Sequence, residues 1–233
     1  MNTPFSLKPN LLSQDKGFSL LEILIAVAIV ALTFGLVGFN SSSERQKINE
    51  AYEGIVRAIE FSKSEAVIRN KVVRITLDMS TDPNSYSIEA SSESQLTLSE
   101  YVDLERLDKK ELEAYKKKAQ SIDSKFTVIE EFKKASKEIN PDVSISGVAT
   151  NLSQDLMTEN KAYIYFYPTG FQDESIIFLA NYEEIISIKV ESVRERITDN
   201  YYLLGDFLDE NYETVVYEKT KELYDKWSEN YEF

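Results

Sequence analysis

Between Phe18 and Phe39 the chain reads FSLLEILIAVAIVALTFGLVGF, a run of 22 residues with one ionisable group, Glu22, and no proline. As a helix rising 1.5 Å per residue, such a run spans roughly 33 Å, enough to cross a hydrocarbon core of about 30 Å. The apolar region of a cleaved secretory signal is usually only about 7–15 residues long, so length favours a helix kept in the membrane. Glu22 is the anomaly, because a carboxylate at the bilayer centre costs about 2.5 kcal/mol or more. It lies near one end of the run, where snorkelling lowers that cost. A positive group on another subunit would lower it too.

Composition closes off most chemistry. The 233 residues include no cysteine and no histidine, which excludes disulfides, lipoprotein anchoring, thiolate and imidazole catalysis, and most zinc or copper sites. Twenty-six basic against 40 acidic residues leave a formal charge of -14, so nucleic acid is not an expected partner. Seven glycines form no phosphate-binding loop, and with 40 acidic residues chance carboxylate pairs carry no information. No enzyme activity, cofactor or metal is expected.

The segment KGFSLLEILIAVAIVAL, Lys16 to Leu32, resembles the processing site of type IV prepilins and type II secretion pseudopilins. In that family a short leader ends in Gly, a Phe follows, and a Glu stands at the fifth position counted from that Phe, ahead of an apolar helix. Gly17, Phe18 and Glu22 match these positions, and Lys16 supplies the usual basic residue of the leader. The resemblance implies cleavage between Gly17 and Phe18 by a prepilin peptidase and N-methylation of Phe18. It also implies pairing of Glu22 with the new N-terminal amine of a neighbouring subunit in a filament of pilins or pseudopilins. Charge does not orient the span, since Lys8 and Lys16 precede it and Arg45 and Lys47 follow. The resemblance implies a single pass through the bacterial inner membrane, with the C-terminal domain in the periplasm.

After a polar break at Ser41–Ser43, the positions Ile48, Ala51, Ile55, Ile59, Ser62 and Ala66 recur at helical spacing as a core-facing stripe that ends near Asn70. From Lys71 the period becomes two. Val73, Ile75 and Leu77 alternate with Arg74, Thr76 and Asp78 as a half-buried strand. Further strands are expected at 84–90, 95–99 and from Val143. AYIYFYP, the Thr169–Gly170 turn and Ser175 to Leu179 read as a hairpin, with Ile185 to Val190 beside it. The stretch Ala58 to Asp78 is similar to the GspH/FimT family of minor pseudopilins and minor pilins, through Ser64, Glu65, Ala66, Ile68, Arg69 and Val73, although Lys63 stands where Arg is usual. The implied fold is α+β and pilin-like: a long N-terminal helix, transmembrane in its first half and amphipathic in its second, packed on a mostly antiparallel sheet.

The expected organisation is a leader at 1–17, a transmembrane helix at 18–40, its amphipathic continuation at 41–70 and a periplasmic β-domain at 71–191. That domain carries a charge-dense insertion at 101–140, read as exposed helices stopped by Pro141, and an acidic, tyrosine-rich extension follows at 192–233. In the extension, Leu223, Tyr224 and Trp227 fall at helical spacing, as padding for the sheet or as a partner surface. Asp78, Ser80, Asp82, Asn84 and Glu89 have the spacing of an EF-hand-like calcium loop. Pro83 sits where the sharp turn needs glycine, so an ordinary polar β-turn is expected.

Overall fold

The computed structural model describes residues 20–96, 107–130, 137–153, 155–192, 197–205, 207 and 209–229, with the backbone alone for 33–43. Contacts divide the chain into two units, Met1–Ser42 and Ser43–Phe233. One helix, α1 (Leu20–Arg69), supplies residues to both. The polar break expected at Ser41–Ser43 does not interrupt it, since serine costs a helix only a few tenths of a kcal/mol. Asn70 ends α1 with a φ of 52°, in the left-handed region that asparagine tolerates. The Lys71 N–H donates to the Ala66 carbonyl (3.2 Å) and the Asn70 N–H to that of Val67 (3.3 Å), closing the last turn.

The second unit is α+β, and all its strand pairs are antiparallel among the described residues. One sheet holds β1 (Val73–Asp78), β2 (Ser85–Ser91), β3 (Phe126–Val128), β4 (Lys137–Glu138) and β6 (Lys161–Phe166). Its order is β3-β2-β1-β6, with β4 also on β2. A second sheet runs β5-β7-β8-β9, from β5 (Ser144–Thr150), β7 (Ser175–Ala180), β8 (Glu184–Val190) and β9 (Ile197–Leu203). The expected single sheet is therefore two. The main core joins the α1 stripe, including Ile48, Ile55, Ile59 and Ala66, to alternate residues of both sheets, such as Ile75 and Ile164 in the first and Ile177 and Ile188 in the second.

The expected hairpin between β6 and β7 is not formed. β6 pairs with β1, and a short turn closes at Phe166 and Gln172. There the Asp173 carboxylate takes the Tyr165 N–H at 3.0 Å, and the chain leaves for the other sheet. β7, SIIFLA, is buried at every position and needs a strand on each side, which β5 and β8 provide. β1 is likewise buried on both faces instead of one: Arg74, which bonds Asp123 of α2 (Lys109–Asp123), and Thr76 are both buried. No strand forms at 95–96, and 97–99 lie outside the described residues.

The insertion at 101–140 is helical only in part. Asp108 caps α2 by a reciprocal capping box with Glu111, and α2 buries none of its residues. Thr127, Val128, Lys137 and Glu138, read as helix from the sequence, instead complete the ladder of β2 together with Phe126, since the edge amides of β2 need partners. The extension at 192–233 is part of the fold: β9 closes the second sheet, and α3 (Tyr212–Ser228) buries Val216, Leu223 and Trp227 against its outer face, beside Ile176 and Phe178. Those α3 residues are padding for the sheet.

Candidate functional site

In the first unit the described side chains of α1 are, apart from Glu22, apolar on every side and exposed, from Leu20 at 79% to Leu32 at 65%. A helix without a polar face is stable in water only when something covers it, each large side chain contributing about 1.5–3 kcal/mol on burial. Glu22 stands exposed in the first turn, where the positive end of the helix dipole favours a carboxylate. Lys16, Gly17 and Phe18 lie outside the described residues, as does the leader. Among the described residues no helix is long and apolar enough to cross a membrane; the described apolar side chains, Leu20 to Leu32, cover about 20 Å of helix.

In the second unit an ionic cluster lies on the outer face of the first sheet. Arg74 is buried, donating to Glu89 Oε2 (2.7 Å) and Asp123 Oδ1 (2.6 Å). Its guanidinium lies 4.1 Å from the Phe126 ring centroid and 4.2 Å from that of Tyr163. Burial pulls its pKa down, but the bonds to Asp123 and Glu89 outweigh burial and hold it above the usual arginine value. Above the cluster is a cleft of about 210 Å³, lined by Tyr115, Ala119, Ile122 and Asp123 of α2, by Thr150, Leu152, Ser153 and Met157, and by Tyr163 and Tyr165 of β6. Burial raises the pKa of both β6 tyrosines.

Beside it, Asp173 is buried and accepts the Tyr167 hydroxyl at 2.9 Å as well as the Tyr165 amide. Burial pushes its pKa up to about 6 against the opposing pull of these two bonds. Near the start of the second unit, buried Glu184 faces Arg45 at 4.0 Å, and burial raises its pKa. Burial and Asp199 push the Tyr52 hydroxyl to about 12.

The EF-hand spacing does not converge. Asp78 Oδ1 accepts the Ser80 N–H (3.1 Å) and hydroxyl (2.5 Å), and Asn84 donates to the carbonyls of Met79 and Thr81. Glu89 lies about 13 Å along β2 from Ser85, opposite Arg74. Among the described residues no group of three or more acidic side chains is placed to hold a metal ion.

Sequence reasoning missed the Arg74 cluster, the cleft and Asp173. Tyr163 and Tyr165, two apart in AYIYFYP, share a strand face and were the available signal; Asp123 is 49 residues from Arg74 and gave none.

The family model of the prokaryotic N-terminal methylation motif matches residues 12–38. Comparison with curated proteins and with solved structures finds no match. The motif is the type IV pilin-like prepilin signal. It supports the pilin and pseudopilin class, with prepilin-type processing, and fits a membrane-anchored N-terminus.

Proposed function

We propose that the chain is a minor pseudopilin, a structural subunit of the short periplasmic filament of a type II secretion system. One observation carries this reading: the methylation motif at 12–38 opens onto a helix whose described side chains from Leu20 to Leu32 are, apart from Glu22, apolar on all sides and exposed. Such a surface is suited first to lipid and then to the packed helices of a filament core. Prepilin peptidase cleaves between Gly17 and Phe18, and Phe18 is methylated. Within the filament Glu22 meets the Phe18 amine of a neighbour, a pairing that makes both charges tolerable away from water. The likeness of Ala58 to Asp78 to the GspH/FimT family supports a minor subunit rather than the main one. The same motif serves minor type IV pilins, which act in pilus assembly or DNA uptake. The acidic balance of the chain weighs against direct contact with DNA.

The test is the mass of the N-terminal peptide from protein taken out of native membranes, together with the identity of the subunits that co-purify. The expected result is a chain beginning at methylated Phe18, accompanied by secretion-system pseudopilins. Pilus subunits in their place would favour the pilin reading. An intact leader in cells with active prepilin peptidase would remove both.

A further inference from the structure

We propose that the cleft above Arg74 receives the guanidinium group of an arginine carried by a partner polypeptide. At about 210 Å³ the cleft is smaller than sites for drug-sized ligands, which run to roughly 300–1,000 Å³, and fits a single side chain. Its walls offer the rings of Tyr115, Tyr163 and Tyr165, and Asp123 is the one charged side chain lining it among the described residues. The walls thus present aromatic side chains and a carboxylate, which favour a cation over an anion; Arg74 already lies over the Tyr163 ring, and Tyr165 is buried.

Charge bookkeeping beneath the cleft points the same way. Glu89 and Asp123 share the single guanidinium of Arg74, which leaves one negative charge in excess at the site. Asp123 is the more open of the two, its side chain 45% exposed against 15% for Glu89, so the excess faces the cleft. Arg74 lies over the rings of Phe126 and Tyr163, and of these two Tyr163 lines the cleft, so one cleft-lining ring already accepts a planar cation. Arginine suits the site better than lysine because its flat, weakly hydrated head stacks on rings while donating sideways to a carboxylate. The inference is independent of N-terminal processing and stands whichever filament the chain enters.

The chain has three methionines, of which Met157 lines the cleft and Met79 sits at the β1–β2 turn. Methyl-labelled methionine in the full chain in detergent therefore gives a reporter and an internal control. Titration with N-acetyl-arginine methylamide is expected to shift the Met157 signal to saturation and leave Met79 still. The uncharged citrulline counterpart should move neither. Asp123→Asn should weaken the arginine probe roughly fivefold, as loss of a half-exposed ion pair would. Tyr115→Ala, on a helix with no fully buried residue, should also weaken it, and a Met79 signal at its original position certifies the fold of each variant. The proposal is overturned if Met157 ignores the arginine probe, responds equally to citrulline, or binds arginine equally well in both variants. Tetramethylammonium is the remaining arm: binding of that ion without binding of the arginine probe would assign the cleft to a small quaternary ammonium ligand and overturn the partner.

Discussion

Asp173 shows how one buried carboxyl makes stability depend on pH. It accepts the Tyr165 amide and the Tyr167 hydroxyl, yet burial dominates and lifts its pKa from 3.8 to about 6. In the unfolded chain the group ionises near 3.9. As pH rises between these values the unfolded state releases its proton and the folded state keeps one, so the unfolded state binds fewer protons and stability falls. The fall is complete once pH has passed the folded value. Asp173→Asn stays neutral at every pH and keeps an oxygen for the Tyr165 amide. The advantage of this variant over the parent should therefore grow with pH, by about 1 kcal/mol between about pH 5 and pH 7.5, a range above the isoelectric point near 4.6. Urea denaturation of both proteins across that range measures it. Two curves that run parallel would show that Asp173 ionises normally.

At the scale of elements, the second sheet depends on a close approach that glycine allows. A Cβ on Gly147 of β5 would stand 2.7 Å from Leu156 Cδ1 and 3.1 Å from Thr220 Cγ2 of α3. Leu156 has a flexible tip that can turn away, whereas Thr220 is buried against the strand. Gly147→Ala should cost about 1 kcal/mol and Gly147→Val about 3 kcal/mol. In hydrogen exchange the α3 amides should lose protection before those of β7. An unchanged denaturation midpoint for the valine variant would mean that α3 is not held against β5. This docking explains what sequence reading could recover. The α1 stripe from Ile48 to Ala66 was legible because a period near 3.6 survives any arrangement of neighbours. The strands were legible by their period of two, but the same period marks both sheets, so nothing local told β6 from β7 as neighbours of β1. β3 and β4 were hidden in FTVIEEFKKASKEIN because two or three residues pairing at an edge leave no periodic trace. Of the candidate site, the prepilin motif was readable as a contiguous string. The cleft was not, since α2, β6 and the residues after β5 meet only in the folded chain.

For the whole molecule, the division between Ser42 and Ser43 separates two kinds of surface. The described side chains before it are exposed from Leu20 to Leu32, while the buried hydrophobic residues begin at Ile48 and run to Trp227. Stability should therefore reside in the second unit, and dependence on detergent in the first. A chain of residues 43–233 keeps the Glu44–Lys47–Asp142 bridges and the Arg45–Glu184 approach. Its shortened helix would also start well, since Ser43 followed three residues later by Gln46 is the sequence of a capping box, with Glu44 at the positive end of the dipole. Lost with residues 1–42 is apolar area that water disfavours by about 25 cal/mol per Å². The shortened chain should be monomeric without detergent and unfold in one cooperative step, at a midpoint within about 3 °C of the full chain, a shift worth about 1 kcal/mol. Ultracentrifugation and calorimetry of the two chains make the comparison. A shortened chain that fails to unfold cooperatively would show that α1 stabilises the sheets through residues before Ser43, and the two-unit division would be wrong. If it folds but still associates without detergent, the adhesive surface belongs to the second unit, and the exposed apolar helix would no longer account for assembly.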